Sequence, residues 1–511
     1  MVPKIKSLGI LGLEPFLVEV EASLEKALPA FDIVGLPDAA IKESRNRVRA
    51  AIKNCNLKFP VNKITINLAP ANIKKEGSIY DLPILISILK ASNQIKKSIK
   101  NSAFLGEISL SGEIKPVRGV LPMALKAKDF GIDELYIPYE NASETAIVKD
   151  IKIFPIKHID DVISHLNGNH IIKYVYKEDS FDNEKNKNNF LDFSQVKGQY
   201  EAKRALEIAA AGNHNIILIG PPGSGKSMLA KRLPTILPEM TQEEAIETTK
   251  IYSIAGQLDK NISLMYDRPF RAPHHTISQA GLVGGGTFPK PGEITLAHNG
   301  VLFLDELPEF SRSTTEVLRQ PLEEGHITIS RVSGSLTYPC SILFIAAMNP
   351  CPCGYYGHPF KKCICTKKAI SKYLNRISGP LLDRIDLHIE VSPVSFEELS
   401  SNEKQESSSD IKKRIINARK IQSERYKNIE PNCNANLFSP YIDKYCILSK
   451  NAKSLLKKAF NSLYLSGRAY DKILKISRTI ADLADSEEIK STHIAEAIQY
   501  RSLDRKFWLD H

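Results

Sequence analysis

Three patterns of hydrophobic and polar positions divide the chain. In residues 1–172, short strand-like apolar runs alternate with segments of helical period, which indicates a compact α/β unit. The predicted helices are Ala39–Asn54, Asp81–Ala91 and Pro122–Phe130, and the predicted strands are Phe16–Ala22, Lys63–Asn67, Glu107–Ser109, Glu113–Pro116 and Leu135–Pro138.

The second pattern begins after a polar stretch. Residues 173–190 are rich in Asn, Lys and Asp and poor in aliphatic side chains, so we expect a linker there. A helical segment, Val196–Ala211, is then followed by continuous apolar runs, which are typical of parallel strands buried on both faces. These runs are Asn215–Ile219, Val301–Leu304 and Ile342–Ala347. Residues 191–398 are therefore predicted to form a second α/β core on a parallel sheet.

The third pattern is helical throughout. A flexible connector is predicted at residues 399–410, which read LSSNEKQESSSD. Residues 411–511 then show helical periodicity in Ile411–Tyr426, Lys450–Leu463, Tyr470–Ala484 and Ser491–Tyr500. We expect a C-terminal helical, lid-like domain.

Composition and charge exclude few classes of protein. The 511 residues are 42% hydrophobic and 25% charged, which is ordinary for a globular protein with a large core. A formal net charge of +11 permits a polyanionic partner such as nucleic acid, although a solvated basic surface explains it equally well. No uninterrupted apolar run reaches the 18 or so residues needed to cross a bilayer. We therefore expect a soluble, cytoplasmic protein that does not associate with a membrane.

A phosphate-binding loop is predicted directly after the first apolar strand of the second α/β core. Its eight residues are Gly220, Pro221, Pro222, Gly223, Ser224, Gly225, Lys226 and Ser227, which match the pattern G-x-x-x-x-G-K-[ST]. The glycines let backbone N–H groups turn inward onto an oxyanion, and the helix that follows adds its positive dipole end. Lys226 would reach the β- and γ-phosphates of ATP, and the Ser227 hydroxyl would ligate Mg²⁺.

Polar residues at the ends of later strands complete a candidate ATPase site. Asp305 and Glu306 follow the strand Val301–Leu304, and Asp305 would hold Mg²⁺ while Glu306 would polarise the attacking water. Asn349 follows the next buried strand and could hydrogen-bond the γ-phosphate or that water; a plain turn before Pro350 is the alternative.

Two arginines are candidates for contacts with the nucleotide. Arg384 could act in trans as an arginine finger on a neighbouring subunit, or could simply pair with Asp383 or Asp386. Arg468, at the start of a predicted helix, could reach the nucleotide from the lid or serve only as a surface charge.

A cysteine cluster interrupts the core at residues 351–365. Half of the eight cysteines lie there, as two C-x-C pairs separated by nine residues: Cys351, Cys353, Cys363 and Cys365. Four thiolates suffice for a tetrahedral Zn²⁺ site, and the clustering favours a metal in a reducing compartment over a disulfide framework. Four lysines surround the cluster and could touch phosphate, or could be merely solvated.

The order of these motifs resembles that of the AAA+ ATPases. Four segments narrow the resemblance to the magnesium-chelatase-like family of YifB/ComM proteins, over essentially the whole chain. They are RPFRAPHHTISQAGLVGGG (Arg268–Gly286), GEITLAHNGVLFLDELPEF (Gly292–Phe310), ISRVSGSLTYPC (Ile329–Cys340) and AAMNPCPCGYYG (Ala346–Gly357). The resemblance implies an N-terminal α/β domain of the Lon-protease type, a central AAA+ P-loop core and a C-terminal helical domain.

The resemblance also implies a function and roles for particular residues. ComM-type members are hexameric DNA branch-migration motors, which implies ATP, Mg²⁺, DNA and copies of the same chain as cofactors and partners, and a role in recombination or natural transformation. Asn349 would be the first sensor, Arg384 the arginine finger and Arg468 the second sensor. Val196–Gln199 would line the adenine pocket. The hairpin Ile329–Pro339 would face a ring pore with Arg331 as a DNA contact, or would be a plain two-stranded hairpin with a solvated arginine.

Two rival functions remain open at this stage. A chelatase-like ATPase would remodel a protein partner, whereas an ATP-dependent peptidase would need a nucleophilic serine beside an activating lysine. Ser78 lacks the protease setting, and Leu121 stands where that family would place the lysine. We therefore expect the N-terminal domain to be a binding or assembly module.

Overall fold

The computed structural model resolves the chain into two compact units. It describes residues 2–174, 191–259, 262–286, 290–331, 334–400, 404–427, 429, 432–463, 465–504 and 507–508. The first unit comprises Met1–Glu184 and Gln242–Met265, and the second comprises Lys185–Thr241 and Tyr266–His511. The predicted linker lies outside the described residues beyond position 174, as do positions 401–403 of the predicted connector.

The elements up to residue 172 alternate strands with helices. The strands are β1 (Lys4–Leu11), β2 (Glu14–Glu25), β3 (Ala30–Val34), β4 (Lys63–Ala69), β5 (Ser102–Phe104), β6 (Glu107–Ile108), β7 (Ile114–Lys115), β8 (Glu134–Pro138) and β9 (Lys152–Ile156). The helices are α1 (Ala39–Asn54), α2 (Asp81–Ala91), α3 (Val120–Lys126), α4 (Ala142–Thr145) and α5 (Ile159–Leu166).

The elements from residue 191 onward are mostly helical. The helices are α6 (Tyr200–Gly212), α7 (Lys226–Arg232), α8 (Gln242–Ala255), α9 (Gln279–Val283), α10 (Glu293–Leu296), α11 (Arg312–Glu316), α12 (Arg319–Glu324), α13 (Lys367–Leu374), α14 (Gly379–Leu382), α15 (Phe396–Ser400), α16 (Ser408–Arg425), α17 (Tyr441–Tyr445), α18 (Lys450–Leu463), α19 (Gly467–Leu483) and α20 (Ser491–Asp504). The strands are β10 (Ile216–Ile219), β11 (Phe270–Arg271), β12 (Gly284–Gly285), β13 (Lys290–Pro291), β14 (Val301–Leu304), β15 (His326–Arg331), β16 (Gly334–Pro339), β17 (Leu343–Met348) and β18 (Leu387–Glu390).

The first unit is built on a mixed sheet in the order β3-β4-β2-β1-β5-β8-β9. Strands β1, β2 and β4 pair antiparallel, and the remaining neighbours pair parallel. Helix α2, buried at nine of its eleven residues, packs against this sheet because its side chains are apolar nearly all round. The predicted strands Glu107–Ser109 and Glu113–Pro116 are confirmed in part as β6 and β7, which pair antiparallel.

Helix α8 belongs to the first unit although it follows the phosphate loop in sequence. The carbonyl of Ser253 accepts a hydrogen bond from the N–H of Gly119 at 3.1 Å. The Ser253 hydroxyl donates to the buried carboxyl of Glu144 at 2.5 Å. The first unit is therefore completed by a segment that the chain supplies from within the second.

The second unit contains a parallel sheet in the order β11-β14-β17-β10-β18. Strand β10 pairs on one side with β17, Ile216 opposite Ile345, and on the other with β18, Ile216 opposite Leu387. The first strand in sequence therefore lies between the last two, so the direction of connection reverses beside it. Ligands of open α/β sheets bind at such a switch point, beyond the carboxyl ends of the strands.

The C-terminal helices share one hydrophobic core with this sheet. Buried residues of α16, α18, α19 and α20 belong to the same cluster as the inner residues of β10, β14 and β17. The Lys472 ammonium lies 3.0 Å from the carboxylate of Asp386, which itself lies 3.4 Å from the imidazole of His214. Burial alone would raise the pKa of Asp386, but Lys472 and His214 together hold it well below its usual range. Among the helices that the structure describes, none is both long and apolar enough to cross a membrane.

Candidate nucleotide-binding site

The phosphate loop joins β10 to α7 at the carboxyl edge of the second sheet. Gly223 and Gly225 have φ values of +78° and +90°, which favour glycine because other residues carry a Cβ that clashes there. At Gly220 the constraint is space, since a Cβ would lie 2.3 Å from the carbonyl oxygen of Val391. Lys226 and Ser227 open helix α7. The loop therefore has the sharply turned form that directs backbone N–H groups and a helix end at one point.

The ammonium of Lys226 is buried within this loop. Its Nζ donates to the carbonyl oxygens of Gly220 and Pro221, both at 2.8 Å, and lies 3.3 Å from the side-chain oxygen of Asn349. Burial lowers the pKa of Lys226 to about 8, although the nearby carboxylates of Asp305 and Glu306 oppose this effect. A cation with this little hydration has a strong electrostatic preference for an anionic partner.

Ser227 and Asp305 come together as the sequence predicts. Asp305 follows the buried strand β14, and its Oδ2 accepts a hydrogen bond from the Ser227 hydroxyl at 2.6 Å. Two neighbouring ligands of an octahedral Mg²⁺ are about 2.9 Å apart, because Mg–O distances are about 2.0–2.1 Å. A hydroxyl and a carboxylate oxygen at this spacing fit the ion chemically and in separation.

Glu306 lies beside this pair in an unusual backbone conformation. Its φ is +52°, which is uncommon for a residue other than glycine. The carboxylate is 57% exposed and lies 3.7 Å from the imidazole of His275. This contact was not predictable from the sequence, because His275 and Glu306 are 31 positions apart.

Gln199 ties the segment predicted to line the adenine pocket to the phosphate loop. Its side-chain amide donates to the carbonyl of Ser224 at 3.2 Å and to that of Ser392, beyond β18, at 2.6 Å. Gly198 and Gln199 both have positive φ, which turns the chain toward the loop before α6 begins. The predicted segment Val196–Gln199 thus reaches the same edge of the sheet.

The two candidate arginines lie at the opposite edge of the sheet. Arg384 precedes β18, and its carbonyl accepts a hydrogen bond from the Asn215 side chain, just before β10. Its guanidinium pairs with Glu323 and donates to the carbonyl of Pro380 at 2.7 Å, so neither predicted acidic partner is used. Arg468 is 68% exposed and lies 3.8 Å from Asp383.

Both arginines line a cavity of about 560 Å³ at this amino-terminal edge. The phosphate loop begins at the other end of the four-residue strand β10, roughly 13 Å away at about 3.3 Å per residue. The structure therefore brings Arg384 and Arg468 together and does not bring either to the phosphate loop of the same chain.

The four clustered cysteines point their sulfurs at a common centre. Cys351, Cys353 and Cys363 have Sγ atoms 3.4–3.7 Å apart, and all four sulfurs lie within 4.8 Å of one another. Thiolates bound at about 2.3 Å to a tetrahedral ion would be about 3.8 Å apart, whereas a disulfide requires about 2.05 Å. The arrangement therefore fits a tetrahedral metal.

The cysteine loop contacts the phosphate loop directly. A Cβ on Gly354 would lie 2.4 Å from the ring of Pro222. Cys351 is also only two residues beyond Asn349, whose side chain meets Lys226. The cluster thus supports two parts of the candidate site at once, a contact that no sequence signal predicts.

The predicted pore hairpin and the two positions considered for a protease dyad lie outside the nucleotide site. The hairpin forms as β15 pairs with β16, but the Arg331 side chain and residues 332–333 lie outside the described residues. Ser78 donates its hydroxyl proton to Glu107, and the Leu121 side chain is fully buried.

Comparison with known families covers nearly all of the chain. Residues 20–141 match the model described as subunit ChlI of Mg-chelatase, residues 192–399 match magnesium chelatase, subunit ChlI, and residues 405–501 match its C-terminal region. The chain is 45% identical over 506 residues to the competence protein ComM of Haemophilus influenzae, covering 98% of this chain and 97% of that protein.

The chain belongs to the ComM/YifB family of magnesium-chelatase-like AAA+ ATPases. The protein YifB of Salmonella typhimurium is 42% identical, with 97% of this chain and 96% of that protein covered. A Lon protease of Aster yellows witches'-broom phytoplasma is 30% identical over 164 residues, which cover 29% of this chain and 20% of the protease. The predicted family and fold class are confirmed: a Lon-like N-terminal region, an AAA+ core with a parallel sheet, and a helical C-terminal domain.

Proposed function

We propose that this ComM/YifB-family ATPase works as a homo-oligomeric, hexameric ring motor that hydrolyses ATP to move along DNA. Its role would be helicase-type remodelling, such as branch migration, during recombination or natural transformation. We further propose the domain boundaries 1–172, 191–398 and 411–511 for the N-terminal, ATPase and C-terminal domains.

The proposed chemistry assigns one task to each residue of the candidate site. The loop Gly220–Ser227 would cradle the phosphates, and the Lys226 ammonium would neutralise them. Ser227 and Asp305 would hold Mg²⁺, which supplies charge neutralisation at the transferring phosphoryl group. Glu306 would orient and deprotonate the attacking water, and Asn349 would sense the γ-phosphate.

One observation carries the proposal of a homo-oligomer: the candidate site residues lie at two opposite edges of the same sheet. A guanidinium at the far end of β10, a strand roughly 13 Å long, lies away from its own phosphate loop, but it can complete a neighbour's site. Arg384 and Arg468 line one cavity of about 560 Å³, so a single docking surface would present both to the adjacent subunit. Identical head-to-tail contacts generate a closed ring when the rotation between neighbouring subunits closes, and the proposed hexamer is such a ring.

The DNA part has two supports. The chain carries a formal net charge of +11, which suits a polyanion and predicts strongly salt-dependent binding. It is also 45% identical to a protein named for competence. A chelatase-like ATPase that remodels a protein partner is the second candidate, because the family models that match are those of magnesium chelatase.

ATPase turnover measured with and without single-stranded or branched DNA separates these candidates. We expect DNA to stimulate turnover, Lys226→Ala to abolish nucleotide binding, and Glu306→Gln to keep binding while turnover falls about 10²- to 10⁴-fold. Wild-type protein that binds no DNA at low salt, and is not stimulated by it, would refute the motor in favour of protein remodelling.

We also propose that the cysteine cluster binds Zn²⁺. Metal analysis of protein kept reduced should give about one zinc per chain, and Cys363→Ser should lower that content. Clearly substoichiometric zinc in the reduced wild-type protein would contradict this assignment.

A further inference from the structure

The cysteine loop presents an apolar and basic face to solvent. We use the name knuckle for residues 351–368, which contain the four cysteines and the start of α13. The sulfurs converge inside it, whereas Phe360 and Ile364 project outward and are 87% and 86% exposed. They are the two most exposed large apolar side chains among the described residues of the second unit. A pair of this kind on one small loop indicates a surface that a partner covers.

The knuckle is also strongly basic. No aspartate or glutamate occurs between residues 351 and 382, whereas Lys361, Lys362, Lys367 and Lys368 all lie on the knuckle and are exposed. No carboxylate of the described residues pairs with these four ammonium groups. The last two occupy the first turn of α13, where the helix dipole already favours negative charge. A face with this charge suits a polyanionic partner.

Aromatic rings accompany the charge. His358 lies edge-on to Tyr355, with centroids 5.6 Å apart, and to Phe360, with centroids 6.2 Å apart. Its Nδ1 accepts hydrogen bonds from the backbone N–H groups of Phe360 and Lys361, both at 3.0 Å, which fixes the loop. The Lys361 ammonium lies 5.0 Å from the centre of the Tyr355 ring. Rings interleaved with lysines form the usual platform for unpaired bases and their phosphates.

We propose that the knuckle binds single-stranded nucleic acid, with Phe360 stacking on a base and the lysines contacting the adjoining phosphates. This inference rests on the proposed DNA-directed function and names the part of the ATPase unit that touches the strand. A duplex would satisfy the lysines but would offer no base face to the exposed ring.

The knuckle connects its exposed basic and aromatic side chains to the nucleotide site. Gly354 packs against Pro222 of the phosphate loop, and Cys351 follows Asn349 by two residues. A strand held at Phe360 therefore acts on a loop that supports the phosphate cradle. DNA stimulation of ATP hydrolysis is expected to depend on Phe360 and the lysines of the knuckle, while hydrolysis without DNA does not.

The test uses the full chain and a fluorescent oligothymidine. Phe360→Ala is expected to weaken binding about 5- to 100-fold without changing the salt dependence, because a base loses its stacking partner. Lys361→Gln combined with Lys362→Gln should lower the slope of log K against log salt by about 1.4, because each lysine–phosphate pair accounts for about 0.7 of that slope. Unchanged metal content in each variant shows that the knuckle remains folded.

Two control variants match these changes elsewhere on the chain. Phe396→Ala removes another exposed ring, 78% exposed, from the second unit. Lys96→Gln combined with Lys100→Gln removes two exposed lysines from the first unit. Both controls are expected to retain wild-type binding and wild-type DNA stimulation.

The outcomes separate this inference from the proposed function. Wild-type protein that binds no oligonucleotide would refute the DNA function, and the role of the knuckle with it. Wild-type binding that the knuckle variants retain as fully as the controls would overturn the inference and leave the DNA function standing. Knuckle variants that lose binding only to phosphatidylserine vesicles would overturn it in favour of a membrane surface.

Discussion

The buried ammonium of Lys226 should make proton uptake a measurable signature of nucleotide binding. Burial lowers its pKa from 10.5 to about 8, with Asp305 and Glu306 opposing only part of that effect. A pKa of about 8 in place of 10.5 corresponds to about 3 kcal/mol against the charged form. The phosphates of a bound nucleotide favour the charged form and are expected to return the pKa to its ordinary range.

The expected magnitude follows from the fraction of Lys226 that is neutral in the free protein. For a pKa of about 8, that fraction is about one tenth at pH 7, one half at pH 8 and nine tenths at pH 9. Binding should therefore take up about 0.1 proton at pH 7 and about 0.9 at pH 9. The free protein loses this proton as pH rises through 8, so the dissociation constant should increase about tenfold between pH 7 and pH 9.

Isothermal titration of Mg-ADP into the full chain measures both quantities. Repeating the titration in buffers of different ionisation enthalpy gives the number of protons taken up. Lys226→Arg is the matched control, because a guanidinium stays charged at pH 9 and should take up no proton whatever its affinity. Wild-type uptake near zero at pH 9, with an unchanged dissociation constant, would show that the ammonium is charged in the free protein and would refute the burial argument.

Three further predictions concern the arginine edge, the cysteine loop and the core. Arg384→Ala should leave nucleotide affinity intact while ATP turnover falls about 10³- to 10⁵-fold. Mixing this variant with chains that lack a functional phosphate loop should restore part of the turnover. Turnover of Arg384→Ala equal to that of the wild type would contradict action in trans. Gly354→Ala places a Cβ against the phosphate-loop proline at a φ of +83°, so its unfolding free energy should fall by about 1–3 kcal/mol, whereas Gly467→Ala, with open space around it, should not change it. Lys472→Met strands the carboxylate of Asp386 and should lower the unfolding free energy by about 3 kcal/mol in denaturant titrations, most of which Asp386→Leu should restore if the pair itself is responsible.

Local patterns predicted the elements that carry their own signals. Helices α1 and α2 begin and end at the predicted residues, because α1 is amphipathic over 16 residues and α2 is apolar nearly all round over 11 residues. Strands β5, β11 and β18 were not predicted, since two to four residues give too short a pattern and their place is set by neighbouring strands.

In the candidate site, too, some features could be predicted from the sequence and others could not. The phosphate loop and the Ser227–Asp305 pair could be predicted because each residue belongs to a short contiguous motif with a known chemical role. The partner of Arg384 could not, because Glu323 lies 61 residues away and the nearer Asp383 and Asp386 looked equally suitable. Such pairings depend on tertiary packing, which no local spacing records.

The insertion of α8 into the first unit has a consequence for synthesis on the ribosome. Glu144 and Gly119 find their partner in Ser253, so the N-terminal unit cannot reach its final hydrogen bonding until residue 253 has left the exit tunnel. By then the strand and loop of the phosphate site, residues 216–227, have already emerged. At about 5–20 residues per second, the gap from residue 172 to residue 253 is roughly 4 to 16 seconds. Segments of the two units are therefore synthesised alternately. A chain that stops at residue 174 would lack a segment of its own first unit.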